Sequence, residues 1–220
     1  MNYLFSLDSP FISFMSKLVD LMILNIIWLI CCIPVVTVIP ATTALYYAVV
    51  KVIRRDRGHV VKEFFHSFKQ NLLQGLIFSV IACVLIYMLH IDFYYLIEMA
   101  GHTVGDSVFS GLIIVLSVVL LAIYMYICPV LSRFGISSLG LIKISFGMAL
   151  TNLSTTIALV LITAAVVLGC MVFMPGICLF PAAGTLLASF LLEKILKKYL
   201  PANESDENET GPNGDAWYRE

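Results

Sequence analysis

Long stretches without charge alternate with short charged ones along this chain. Leu21 to Val50 contains no Asp, Glu, Lys or Arg, and the same holds for Asn71 to Ile91, Ser107 to Ser132 and Ile144 to Leu192. A helix needs about 20 mostly apolar residues to cross a hydrocarbon layer ~30 Å thick. The last stretch has room for two crossings, and Pro175-Gly176 and Pro181 break it where a turn would fall. The first stretch taken alone fits either one crossing or a tight pair.

An internal repeat favours the pair. Pro34 to Pro40, followed by Ala41, has the same proline spacing as Pro175 to Pro181, followed by Ala182. Each motif follows an apolar helix-length segment. Each precedes a shorter apolar segment ending in basic residues: Lys51, Arg54 and Arg55 in one case, Lys194, Lys197 and Lys198 in the other. Each unit therefore reads as a helix, a proline-bounded turn and a returning helix, with the terminal Lys and Arg stems snorkelling to the interface. The expected fold is all-α: a polytopic transmembrane helical bundle with six spans, near 14–33, 40–56, 72–91, 108–131, 153–174 and 181–197. The alternative is five spans, with 18–38 as a single crossing.

Two further segments are expected to be interfacial amphipathic helices. In 59–71, Val60, Val61, Phe64, Phe65, Phe68 and the following Leu72 recur at helical spacing, with Lys62, Glu63, His66, Lys69 and Gln70 opposite. Segment 139–152 is a weaker counterpart. Asp8-Ser9-Pro10 reads as a helix start, with Ser9 as cap. Residues 1–200 form one integral membrane domain in this reading. Residues 201–220 carry six acids against Arg219 and are expected to be a disordered acidic tail. The glycosylation-type triplets at Asn203 and Asn208 would then face the cytoplasm and stay unused.

Composition agrees. Of 220 residues, 60% are hydrophobic and only 12% charged, about half the charge of an ordinary soluble domain. That excludes a typical soluble enzyme and a disordered chain, and the unbroken apolar runs exclude an outer-membrane barrel. With both termini inside, all 13 Lys and Arg fall on the inner side. The outer loop 92–107 carries only Asp92, Glu98 and Asp106 as charges. This orientation implies a multi-pass membrane protein with both termini cytoplasmic and the lipid bilayer as its first partner.

Candidate chemistry is sparse. The six cysteines lie in apolar runs or the turn joining two of them, so packing is their expected role, and no spacing suits a metal. Four scattered histidines, and no zinc-protease, phosphate-loop or nucleophile-elbow motif, give no catalytic site and no cofactor. Asp92 and Glu98 are expected to be solvated, and His66 to lie at headgroup level. The span interiors are expected to be free of ionisable groups; Glu193, at the inner end of the last span, is four residues before Lys197 and reads as half of a surface pair. Asn25 and Trp28 are three residues apart in the first span. An Asn there is expected to bond a neighbouring helix, or alternatively a substrate or partner helix. Pro34, Thr37, Pro40, Pro175 and Pro181 mark the turns, with Thr37, Thr42 and Thr43 able to satisfy freed backbone groups. Tyr46 and Tyr47 suit an aromatic girdle or a sugar contact. The basic cluster 51–57 sets topology and meets anionic lipid. No basic soluble domain exists for nucleic acid.

Several of these residues carry a likeness. Asn25-x-x-Trp28, Pro34-Val-Val-Thr37, Ala41-Thr-Thr-Ala-Leu-Tyr46-Tyr47 and Phe64-Phe65-x-Ser67-Phe68-Lys69-Gln70-Asn71 resemble the YesL-like family, bacterial membrane proteins of unknown function seen mainly in Firmicutes. Cys128-Pro129 and Met148 to Asn152 are also similar. The resemblance spans about residues 5–200. It implies a non-enzymatic accessory or regulatory protein associated with an ABC-type carbohydrate importer, because members are often encoded beside such importers. Phe65, Phe68, Lys69, Gln70 and Asn71 are then the residues expected to meet permease subunits, and homo-oligomers are open to it as well. The alternative is a small transporter or channel for a neutral solute, along Asn25, Thr37, Thr42 and Tyr46.

Overall fold

The computed structural model describes residues 10–99, 104–133 and 138–199. Asp8, Ser9, His102 and the tail 201–220 lie outside them, as do the side chains of Glu98 and Lys197. Among the described residues the chain forms seven α-helices and no strand. They are α1 (Pro10–Cys32), α2 (Val38–Ala48), α3 (Val60–Met99), α4 (Val104–Arg133), α5 (Ser138–Thr151), α6 (Leu153–Val172) and α7 (Phe180–Tyr199). The result is an all-α helical membrane bundle. Five helical stretches are long and apolar enough to cross a membrane: Ile12–Cys32, Val35–Arg54, Val60–Tyr94, Gly111–Arg133 and Leu153–Val172. The helix α7 has 20 residues but carries Glu193, Lys194, Lys197 and Lys198 in its second half.

The first uncharged run is a hairpin, which removes the alternative with 18–38 as one crossing. A short 3-10 turn, Val35–Thr37, separates α1 from α2, and another, Met174–Cys178, separates α6 from α7. Both returning helices begin with a proline in the first turn, where the missing N–H costs nothing. Each also has a first-turn N–H that its own helix cannot satisfy. Away from water such a donor needs a side chain from elsewhere. Ser79 Oγ of α3 accepts from Ile39 N at 3.2 Å, and Asn25 Oδ1 of α1 accepts from Ala182 N at 3.1 Å. The hairpins are thus capped by other helices.

The helix α2 is the central element. From Ile39 to Ala48 every residue except Thr42 is buried. It continues into a buried π-helical stretch, Val49–Arg54, which ends in a turn. There Asp56 (φ 53°) and Gly58 (φ 83°) adopt left-handed backbone. Asp56 pairs with Lys17 of α1 at 2.9 Å. Gly58 needs both its positive φ and its missing side chain, since a Cβ would sit 2.6 Å from Glu63 Oε1.

The expected amphipathic helix at 59–71 is present, but as the first turns of α3, continuous with the span rather than separate from it. Its inward face is also different. Val60 and Phe64 are buried, but so is Glu63, whereas Val61 and Phe65 are exposed. Most of the expected outer loop 92–107 is helical too, with α3 reaching Met99 and α4 starting at Val104. Segment 139–152 is the separate short helix α5, joined to α6 at Asn152.

Close packing of α2 on α3 depends on Gly75, where a Cβ would come within 2.9 Å of Pro40. Gly147 in α5 has open space around its Cα. Gly75→Val is therefore expected to destabilise the protein by about 1–3 kcal/mol through overpacking. Gly147→Ala should be neutral or stabilising by up to ~1 kcal/mol, because alanine is the better helix former. Thermal unfolding of the two variants in detergent checks both signs.

Candidate functional site: buried ion pairs beside an apolar cavity

Lys51, Arg54 and Arg55, the basic residues that close the first hairpin, meet oxygens of α3 and α7 in a largely desolvated region. Glu193 of α7 is only 3% exposed. Its Oε1 accepts from Arg133 of α4 and from the Tyr46 hydroxyl of α2, the latter at 3.2 Å. Its Oε2 lies 3.5 Å from Arg55, which follows the π-helical stretch. One carboxylate thereby joins three parts of the fold. Glu193 is therefore not half of a surface pair but a buried group at the inner end of α7. The reason is physical: two guanidiniums and a phenol converge on it from other helices.

A second buried pair lies nearby. Lys51 is 4% exposed and meets Glu63 Oε2 at 2.9 Å. It also donates to the Tyr47 hydroxyl at 3.1 Å. Lys51 therefore does not snorkel to an interface. It ties the end of α2 to the start of α3. Arg54 stacks over Phe190 at 4.5 Å and donates to the Ser189 carbonyl at 3.0 Å. Tyr46 and Tyr47 each carry their hydroxyl to an ionised partner.

An apolar cavity of about 600 Å³ lies beside this cluster, between α1, α2, α4, α6 and α7. Tyr46 and Leu192 line it where it approaches the ion pairs, and Ile177 and Pro181 line it near the proline turn. Its threonine hydroxyls already donate. Thr42, Thr163 and Thr185 each donate to a carbonyl of their own helix, at 2.7, 2.9 and 2.8 Å. Thr42 also accepts from the Trp28 indole N–H at 3.3 Å.

The residues singled out in the sequence separate into distinct places. Trp28, Thr42, Tyr46 and Pro181 share the cavity wall. Asn25 is fully buried between α1 and α7, with Oδ1 on Ala182 and Nδ2 without a hydrogen-bond partner. Thr37 donates within its turn, to Cys31 O and Pro34 O. Pro34 and Pro175 are exposed at the two turns, and Pro40 is buried against Gly75. The expected polar path along Asn25, Thr37, Thr42 and Tyr46 is therefore not continuous. Phe65, Lys69 and Gln70 are exposed on α3. Phe68 stacks on Phe64 (centroids 6.2 Å apart), and Asn71 donates back to Ser67 O at 3.0 Å. Glu193, Arg133 and Lys51 were missed as site residues; their only sequence signal is a charge adjoining an uncharged run.

Among the described residues no three His, Cys, Asp or Glu are grouped to hold a metal. The class these features define is a helical membrane protein with a charge-locked end and an apolar cavity. Residues 21–93, a third of the chain, match the model of a family described as protein of unknown function, DUF624. The match runs from α1 through α2 into α3 and includes Lys51, Arg55 and Glu63. No curated protein and no solved structure matches the chain.

Removing one partner of a buried ion pair leaves the other charge desolvated, at a cost of about 3–5 kcal/mol. Glu193→Gln, which takes the carboxylate away from Arg133, is expected to fall in that range, whereas Lys62→Ala on the exposed face of α3 should cost little. Asn25→Leu leaves the Ala182 N–H unsatisfied and should cost about 1–3 kcal/mol. Denaturation of the purified variants in detergent ranks the three.

Proposed function

We propose that the protein is a non-enzymatic accessory or regulatory subunit of an ABC-type carbohydrate importer, and a YesL-like member of the family its first three helices match. It belongs in this reading to the bacterial plasma membrane, with both termini cytoplasmic, which places every Lys and Arg on the inner side.

The observation that carries the docking role is an exposed stripe on the first turns of α3. Val61, Lys62, Phe65, His66, Lys69 and Gln70 all face outward, with Phe65 40% exposed. The same turns are fixed from behind by Lys51 on Glu63 and by Phe64 in the core. A stripe held this rigidly loses little entropy on binding, and aromatic and basic side chains together suit a protein interface at headgroup depth. Phe65 and Lys69 are the contacts this reading ranks first. Phe68 and Asn71 serve the fold as well, through Phe64 and Ser67.

A small transporter or channel for a neutral solute is the second reading, favoured by the cavity volume. Its engaged hydroxyls and apolar wall make it the weaker one for a polar solute.

Affinity capture of the tagged protein in mild detergent, from native membranes of cells grown on complex glycans, tests the first reading. Permease subunits are expected with the parent chain. With Phe65→Asp/Lys69→Glu their recovery should fall about tenfold, the loss of ~1.4 kcal/mol of binding. Capture of the parent chain alone, or unchanged capture by a folded variant, contradicts the docking role. Solute flux through the purified protein in sealed liposomes would favour the second reading instead.

A further inference from the structure

The cavity has features that neither proposed function uses. Its α7 wall runs through Pro181, Thr185, Ala188 and Leu192, one stripe of that helix. At 1.5 Å per residue the stripe extends about 16 Å along the bundle. Another wall is α6, which is little buried over this length. Its buried residues are Thr156 and Leu159, both before the cavity begins at Ile162. Thr156 holds that end by its hydroxyl, 3.0 Å from the Tyr126 hydroxyl. Beyond it α6 leans on α7, where Val166 packs against Gly184.

The cavity is not sealed. Val167 and Met171 line it and are also exposed on the outer surface of α6. Since Leu153–Val172 is one of the membrane-crossing helices, the surface there is hydrocarbon. A space of about 600 Å³ lies in the range of ligand pockets, roughly 300–1,000 Å³. A polar ligand would find the O–H donors of Thr42, Thr163 and Thr185 already spent on their own helices and Tyr46 committed to Glu193, with Tyr124 the remaining hydroxyl in a wall otherwise apolar. Water gains too few hydrogen bonds to settle in such a site. An apolar chain forfeits no hydrogen bond there and restores the dispersion contacts that an empty space lacks.

We propose that this cavity is a binding site for an acyl chain of a membrane phospholipid, entering from the bilayer past Val167 and Met171. The chain lies parallel to α7, between Ala188 on one side and Cys170 on the other. This site stands independently of the importer reading, since it uses none of the α3 stripe.

Tryptophan supplies the test. The full chain has two, Trp28 in the cavity wall and Trp217 in the tail, so Trp217→Phe leaves Trp28 as the sole reporter. The Trp217→Phe chain is reconstituted in vesicles of dioleoyl phosphatidylcholine containing its mid-chain dibrominated analogue. Bromine quenches indole on contact. Ala188→Phe and, separately, Cys170→Phe fill the cavity from opposite walls. The expected result is quenching of Trp28 that is halved or more by either filling variant at the same brominated fraction. Mass spectrometry of the detergent-purified parent should also find phospholipid retained in proportion to protein. Equal quenching in the parent and in a folded filling variant overturns the proposal. So does a parent chain that retains no phospholipid. Retention of a free fatty acid in its place would also overturn it, by assigning the site to a different ligand.

Discussion

A single carboxylate sets the terms on which this bundle can assemble. Glu193 is buried and reaches Arg133 of α4, Arg55 at the end of the first hairpin and Tyr46 of α2. Burying three such charges is expensive, and their mutual attraction recovers the cost only with good geometry. The pair is therefore better understood as a selector than as a source of stability. Any shift of α7 against α2 and α4 leaves a guanidinium or a carboxylate without its partner in a region with little water. Lys51 and Glu63 impose the same condition on α2 against α3. Lys17 and Asp56 connect α1 to the same end of the bundle across a more exposed contact.

The opposite ends of the hairpins obey the same rule with neutral groups. A helix starting inside hydrocarbon cannot leave its first N–H groups to water. Proline removes one donor from each returning helix, and Ser79 and Asn25 accept another. The cap always comes from a different helix, so each turn forms in full only when the neighbours are in place. The repeated hairpins thus share a solution as well as a proline spacing. Between the charged end and the proline turns, α6 is the least committed helix, and the cavity lies behind it.

Much of this fold is readable in the chain, because charge is so costly in a bilayer that its absence marks the spans. The uncharged runs and the proline spacing of Pro34–Pro40 and Pro175–Pro181 lead to the two hairpins and to α3 and α4. The segment 59–71 was less legible for a definite reason. A helical period of apolar residues looks the same whether the apolar face meets lipid or a neighbouring helix, and Phe64 and Val60 meet α2's cluster instead. The site was hardest to read. Lys197, one turn from Glu193, offers a local partner by spacing, while Arg133 is 60 residues away in sequence. Local rules favour the near candidate, and only tertiary structure brings in the distant one. The cavity left no sequence signal at all, because its wall is made of the same residue types as a lipid-facing surface.

The direct test of the charge lock is a double-mutant cycle on Arg133 and Glu193. Arg133→Met, Glu193→Gln and the double variant are compared with the parent by equilibrium unfolding in detergent. Each single change takes from the other side chain its charged partner across α4 and α7, and the double change removes both. The double variant is therefore expected to be much less destabilised than the two singles summed, by about 1–3 kcal/mol of coupling. Additive effects, within ~0.5 kcal/mol, would mean that the two side chains do not depend on each other, and would contradict the account.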